Sequence, residues 1–127
     1  MNSSGEQAND SSAGHSISPD GQHVVFGSIA TNLVDNDSNG YRDIFVHNRQ
    51  TGNTKRASVD SSGVQSNNDS HSAVLSSGGQ VVALYSYASN LVPNDTNGQP
   101  DIFIRIDEGS FYVIPNAQGG ISIIYLE

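Results

Sequence analysis

Asp35, Asp37, Asn39, Gly40 and Asp43 follow one another as Asp-x-Asp-x-Asn-Gly-x-x-Asp. Oxygen-bearing side chains at alternate positions of a short loop converge on one point, and glycine permits the sharp bend that convergence needs. Oxygen donors alone select a hard cation, Ca²⁺ rather than Zn²⁺ or copper, and a backbone carbonyl near Tyr41 would add a ligand. A second set, Asp95, Asn97, Gly98 and Asp101, repeats the spacing with Pro93 where the first has Asp35, and so lacks one carboxylate. The same residue types also hold metal-free Asx turns, bonding side chain to backbone and tolerating positive φ. Both readings apply to both loops.

No nucleophilic or acid–base constellation of comparable definition is present. His15, His23, His47 and His71 are the only histidines, and neither HExxH nor GxSxG occurs. A Ser/His/Asp triad drawn from so serine-rich a chain carries little information, and the spacing of Asp37 and Asp43 suits a cation better than glycosidic cleavage. Tyr41, Tyr85, Tyr87 and Phe111 are candidate aromatic platforms for a glycan or peptide, and packing between neighbouring sheets is the competing role.

The elements that must position these loops come as a repeat. An offset of 58 residues lays Asn90 on Asn32, Asp95 on Asp37, Gly98 on Gly40 and Asp101 on Asp43. Between Ser16–His47 and Val74–Arg105 there are 16 identities in 32 positions, and "SSGEQAN" from Ser3 aligns with "SSGVQSN" from Ser61 in the same register. A duplicated unit of this length takes precedence over any local motif. No histidine falls on another histidine under the offset.

Each unit reads as four short strands. In the first these are "HSIS", "HVVFGSI", "DIFVHNR" and "TKRASV", separated by Pro19-Asp20-Gly21, the acidic loop and Thr51-Gly52-Asn53. The second gives "SAVLS", "VVALYSY", "DIFIRI" and "FYVIP", with a turn near Glu108-Gly109, and "GGISIIYLE" resembles one more strand. The expected fold is all-β: residues 1–60 and 61–118 each form a four-stranded antiparallel unit, and residues 119–127 an extra strand or tail. Successive connections of a meander alternate between sheet edges, so the acidic loops share one edge with the long connection "VDSSGVQSNNDSH" from Val59. Leu33, Val34, Leu91 and Val92 are expected to anchor the loops.

Four antiparallel strands repeated at this period are the pattern of a β-propeller blade, which cannot bury both faces alone. Two blades fall short of a closed propeller, so the chain must associate with others, belong to a longer protein or close its core some other way, and of these self-association into a ring is expected. The run "SISPDGQHVVFGSIATNLVDNDSNGYRDIFVHNRQTGNTKRAS" resembles the WD-like, TolB-type propeller repeat, and the resemblance covers almost the whole chain twice. It implies a bacterial propeller, often secreted or periplasmic, acting as an interaction scaffold or attached to a peptidase. The acidic loop leading into Asp43–Val46 also resembles the calcium loops of integrin-type blades.

Composition excludes some partners. Five basic residues against thirteen acidic ones leave a formal charge of -8, too little positive charge for a nucleic-acid backbone or an anionic membrane. With no cysteine there is no disulfide, thiolate metal site or cysteine nucleophile. "ISIIYL" is far short of a membrane span, and "MNSSGEQAND" has no apolar signal-peptide core. The expectation is a non-catalytic propeller module, with or without calcium, whose loop-rich edge meets a protein or carbohydrate. Two competing classes are an enzyme whose site needs the whole ring or another domain, and a purely structural self-assembling pair of blades.

Overall fold

The computed structural model describes residues 1–107, 113–114 and 121–126. Four strands make the first sheet, β1 (Ser12–Ile17), β2 (His23–Ser28), β3 (Asp43–Asn48) and β4 (Thr54–Arg56), antiparallel and adjacent in chain order. The second sheet opens the same way with β5 (Ser70–Leu75), β6 (Val81–Ser86) and β7 (Asp101–Asp107), again antiparallel. The protein is all-β, and no α-helix occurs among the described residues.

The sheets form where short apolar runs stand between turns, and successive side chains of a run point to opposite faces. Val25 and Ile44 project from one face of the first sheet, while Phe26 and Phe45, directly opposite each other, project from the other. Phe26 and Phe45 stack at 5.8 Å between ring centroids. β-branched and aromatic residues fill such half-buried pleated positions well.

The repeat in sequence is a repeat in structure, down to single hydrogen bonds. Asn9 Nδ2 donates to Thr31 Oγ1 at 2.9 Å, and Asn67 Nδ2 donates to Ser89 Oγ at 2.9 Å. Asn32 Nδ2 donates to the carbonyl of Gln7, and Asn90 Nδ2 to that of Gln65. Asn36 and Asn94 both take positive φ, 60° and 63°. The bulge in β1 sits at Gly14 and that in β5 at Ser72, each with positive φ.

Beyond β7 the two units diverge. β4 lies antiparallel to β3, whereas β7 takes β9 (Ile121–Leu126) as a parallel neighbour, with Ile102 opposite Ile121. β8 (Val113–Ile114) pairs with the outer side of β9. The expectation of a fourth antiparallel strand beside β7 is therefore corrected: Val113–Ile114 of that segment form a strand, but displaced by one place. "ISIIYL" is a continuous apolar run suited to an interior position in a ladder, while the displaced segment ends at Pro115, which cannot donate to one. The expected turn near Glu108-Gly109 lies outside the described residues.

The main core lies between the sheets. Val25 and Ile44 of the first meet Leu84, Phe103, Leu91 and Val92 of the second. Contact between the sheets is heaviest at β1 and β5, and β5 also reaches β2 and β3. A smaller cluster of Ala30, Leu33 and Phe45, with Ala8 and Phe26 against it, covers part of the outer face of the first sheet and leaves Ile17 exposed. Leu33 and Leu91, each 1% exposed, pin both acidic loops to their sheets, and Val92 is buried beside Leu91.

Candidate functional site: the acidic loops and their edge

Both acidic loops join the second strand of a sheet to the third, and the segment linking the two sheets lies on the same edge. Gln65 in that segment donates from Nε2 to Ser38 Oγ at 2.8 Å, and Asn39 Nδ2 donates to the carbonyl of Ser66 at 3.0 Å. The backbone N–H of Arg42 donates to Asp69 Oδ1 at 2.7 Å. The edge is thus a continuous polar seam, as the meander order requires.

Asp43 is the hub of the first loop. Its carboxylate is fully buried, and Oδ1 accepts from Ser58 Oγ at 2.7 Å, Ser66 Oγ at 3.0 Å and Asn39 Nδ2 at 3.2 Å. The Arg56 guanidinium stands 3.4 Å from Asp43 Oδ2 and 3.3 Å from Asp37 Oδ1, and also donates to Gln65 Oε1 at 2.9 Å. Burial raises the Asp37 carboxyl above its ordinary value, with repulsion from Asp43 adding and Arg56 opposing. Asp35 is exposed at the surface of the loop. Of the four candidate ligands here, Asp37, Asn39 and Asp43 come together and Asp35 stays apart. The cation among the three is Arg56, and Asn39 meets Asp43 with its amide nitrogen.

The second loop keeps the skeleton without the arginine. Asn97 Nδ2 donates to both oxygens of Asp101, at 3.2 and 3.1 Å, and Asn97 Oδ1 accepts from the N–H of Gln99 as Asn39 Oδ1 does from that of Tyr41. Residue 114, 58 beyond Arg56, is isoleucine. Asp95 Oδ2 is buried with no hydrogen-bond partner. Burial and the neighbouring Asp101 raise the Asp95 carboxyl, and the N–H of Asn97 opposes them. All three predicted residues, Asp95, Asn97 and Asp101, sit together. No group of three His, Asp or Glu side chains placed to hold a metal occurs among the described residues.

Sequence reasoning missed Arg56, Ser58, Gln65 and Ser66. Ser58 read as a residue of the strand "TKRASV" and Ser66 as a linker serine, and nothing local marks them as donors to Asp43. One signal was available: Arg56 falls on Ile114 under the offset, so a charge present in one unit is absent from the other.

The histidines do not gather. His47 Nδ1 lies 2.8 Å from Thr54 Oγ1. Since that hydroxyl donates its hydrogen to the carbonyl of Met1, the imidazole nitrogen is the donor. The His71 ring meets Tyr87 edge-on, and Tyr87 in turn meets Tyr85 at 5.6 Å between centroids.

Comparison of the chain with protein-family models, with curated proteins and with solved structures finds no match.

Proposed function

We propose that the chain is a non-catalytic β-propeller module: two blades of a ring that further copies complete, offering its loop-bearing edge to a protein or carbohydrate partner. The observation that carries this reading is the stacking of two sheets with the same hydrogen-bond skeleton, in closest contact at their first strands. Sheets that meet along their first strands and carry later strands outward are disposed as blades about an axis. The resemblance to the TolB-type repeat agrees with it. Function on such a scaffold belongs to the loops, and here the acidic loops, the connection through Gln65 and the exposed Tyr41 share one edge.

The test is a screen of the purified protein against glycan and peptide arrays, repeated with Tyr41→Ala. Binding weakened at least several-fold by that substitution is expected. Turnover of an ester, peptide or glycoside substrate that disappears on replacing a single histidine would overturn the reading in favour of an enzyme.

Calcium is a second reading, favoured by one observation: the buried, unpartnered Asp95 Oδ2 beside Asp101 is an arrangement a cation would relieve. A ligand of the folded state alone raises Tm. The reading expects Tm to rise with millimolar Ca²⁺ and fall with chelator, and the response to vanish in Asp95→Asn. An unchanged Tm in both, with no metal by elemental analysis, rejects it.

A further inference from the structure

The interface inside this chain joins unlike faces. The second sheet contributes the face bearing Leu84 and Phe103, and the first sheet the face bearing Val25 and Ile44. Under the 58-residue offset, Leu84 and Phe103 correspond to Phe26 and Phe45, while Val25 and Ile44 correspond to Ala83 and Ile102. Each sheet therefore owns one face of each kind, and the chain ends in two different ones.

Both terminal faces are open where their internal counterparts are covered. On the first sheet Ile17 is 55% exposed, whereas its counterpart Leu75 packs against the core. On the second sheet Ile102 is 38% exposed, whereas Ile44 is fully buried, and Val74 beside it is 60% exposed. A groove of about 300 Å³ runs over Val74, Ala83, Tyr85 and Ile102.

The polar seam supplies an independent sign of what covers this groove. Inside the chain Gln65 bonds Ser38, and Asn39 bonds the Ser66 carbonyl. The corresponding groups at the ends are Gln7, which is exposed, with Thr96, and Asn97 with the carbonyl of Ala8. The chemistry of each pair is kept. The bond from the Arg42 N–H to Asp69 is lost from both sides at once: Pro100, at Arg42's position, has no N–H, and Ser11, at Asp69's, has no carboxylate. An aspartate facing Pro100 would have lacked its donor, and the chain does not place one there. The Ser66 hydroxyl has no counterpart in Ala8.

We infer that the first sheet of a second copy of this chain docks on the Val74–Tyr85–Ile102 face, with its Ile17 and Phe26 against that face and its Gln7 on Thr96. The contact is heterologous, so repetition closes a ring or continues as a filament. It deepens the propeller reading and rests on it for the closure.

Light scattering coupled to size exclusion tests it with the wild type, Ile17→Asp and Val74→Asp. Both substitutions fall at exposed positions, and circular dichroism checks that the variants fold. The wild type is expected above the mass of a lone chain, each variant alone at that mass, and their equimolar mixture at twice it, because each variant keeps the face the other has lost. A wild type that is a lone chain at every concentration overturns the docking. So does a variant that assembles alone like the wild type, or a mixture that stays single.

Hydrogen exchange on the wild type gives a reading independent of variants. Protection rising with concentration in β1, β2, β5 and β6 is expected, and its absence overturns the inference. A lone chain that still binds an array ligand through Tyr41 removes the docking and leaves the binding function standing. Assembly without such binding does the reverse.

Discussion

The Ser66 hydroxyl, carried by the segment that leads into the second sheet, donates to the buried Asp43 carboxylate of the first at 3.0 Å. With Ser58, Asn39 and Arg56 it makes Asp43 the joint at which the first acidic loop, β3, β4 and the linking segment are tied together. Removing one member of a buried charged network leaves the others desolvated and unpaired. Asp43→Ala is expected to cost about 3 kcal/mol of folding stability, with Ser66→Ala nearer to about 1 kcal/mol. Urea denaturation monitored by circular dichroism measures both. An Asp43→Ala variant within about 0.5 kcal/mol of wild type, the range of an ordinary surface change, would refute the central role of Asp43.

Phe103 and Phe45 occupy the same position in the two units and are both fully buried, but they bury different things. Phe103 belongs to the core between the sheets, and Phe45 to the cluster on the outer face of the first. Truncating either leaves a cavity, and Phe→Ala in a core costs about 3–5 kcal/mol. The difference shows in what loosens. Phe103→Ala should speed amide exchange in both sheets, and Phe45→Ala chiefly in β2, β3 and the first acidic loop. Equal exchange patterns in the two variants would contradict the assignment of the cores.

His47 carries the pH dependence that has a clear sign. Burial lowers its pKa below the ordinary value of 6.5, with the positive N-terminus and Arg49 adding to the effect. The unfolded chain then binds the proton first as pH falls, so this group's contribution is present above pH 6.5 and is lost as pH drops toward the folded pKa. The ring is only part-buried, which keeps the effect small. Tm should decline slightly on acidification through that window, and His47→Gln should flatten the decline. A His47 resonance titrating above 6.5 in NMR would reverse the sign and refute the account.

What was legible in the sequence was whatever is local or repeated. The strands from His23 and Asp43 and their counterparts were readable because short runs of β-branched and aromatic residues stand between turn residues. Gly40 marked a bend because few residues accept positive φ. The shared edge of the loops and the linking segment followed from strand order alone. The set of groups around Asp43 was not legible, because Arg56, Ser58 and Ser66 lie 13 to 23 residues away and meet it only once the sheet has formed. Nor was the place of β9, since pattern marks "ISIIYL" as a strand without saying which neighbour it takes.

Gly79 offers a test of how closely the sheets fit. Its φ is +69°, and a Cβ built on it would lie 2.5 Å from His23 Cγ and 3.0 Å from His23 Cβ. Rotation of the side chain can move the ring, but Cβ is fixed to the His23 backbone, so that contact eases only if β2 moves. Two penalties therefore coincide in Gly79→Ala: the left-handed backbone, worth about 1 kcal/mol, and a steric overlap of about 1–3 kcal/mol. Trimming the imidazole in His23→Ala should recover part of the second and none of the first. The double variant is then expected to be more stable than the sum of the single effects predicts, by about 1 kcal/mol or more. Additive effects in urea denaturation would mean that His23 and Gly79 do not press on each other, and that the sheets pack less closely at this turn than the geometry requires.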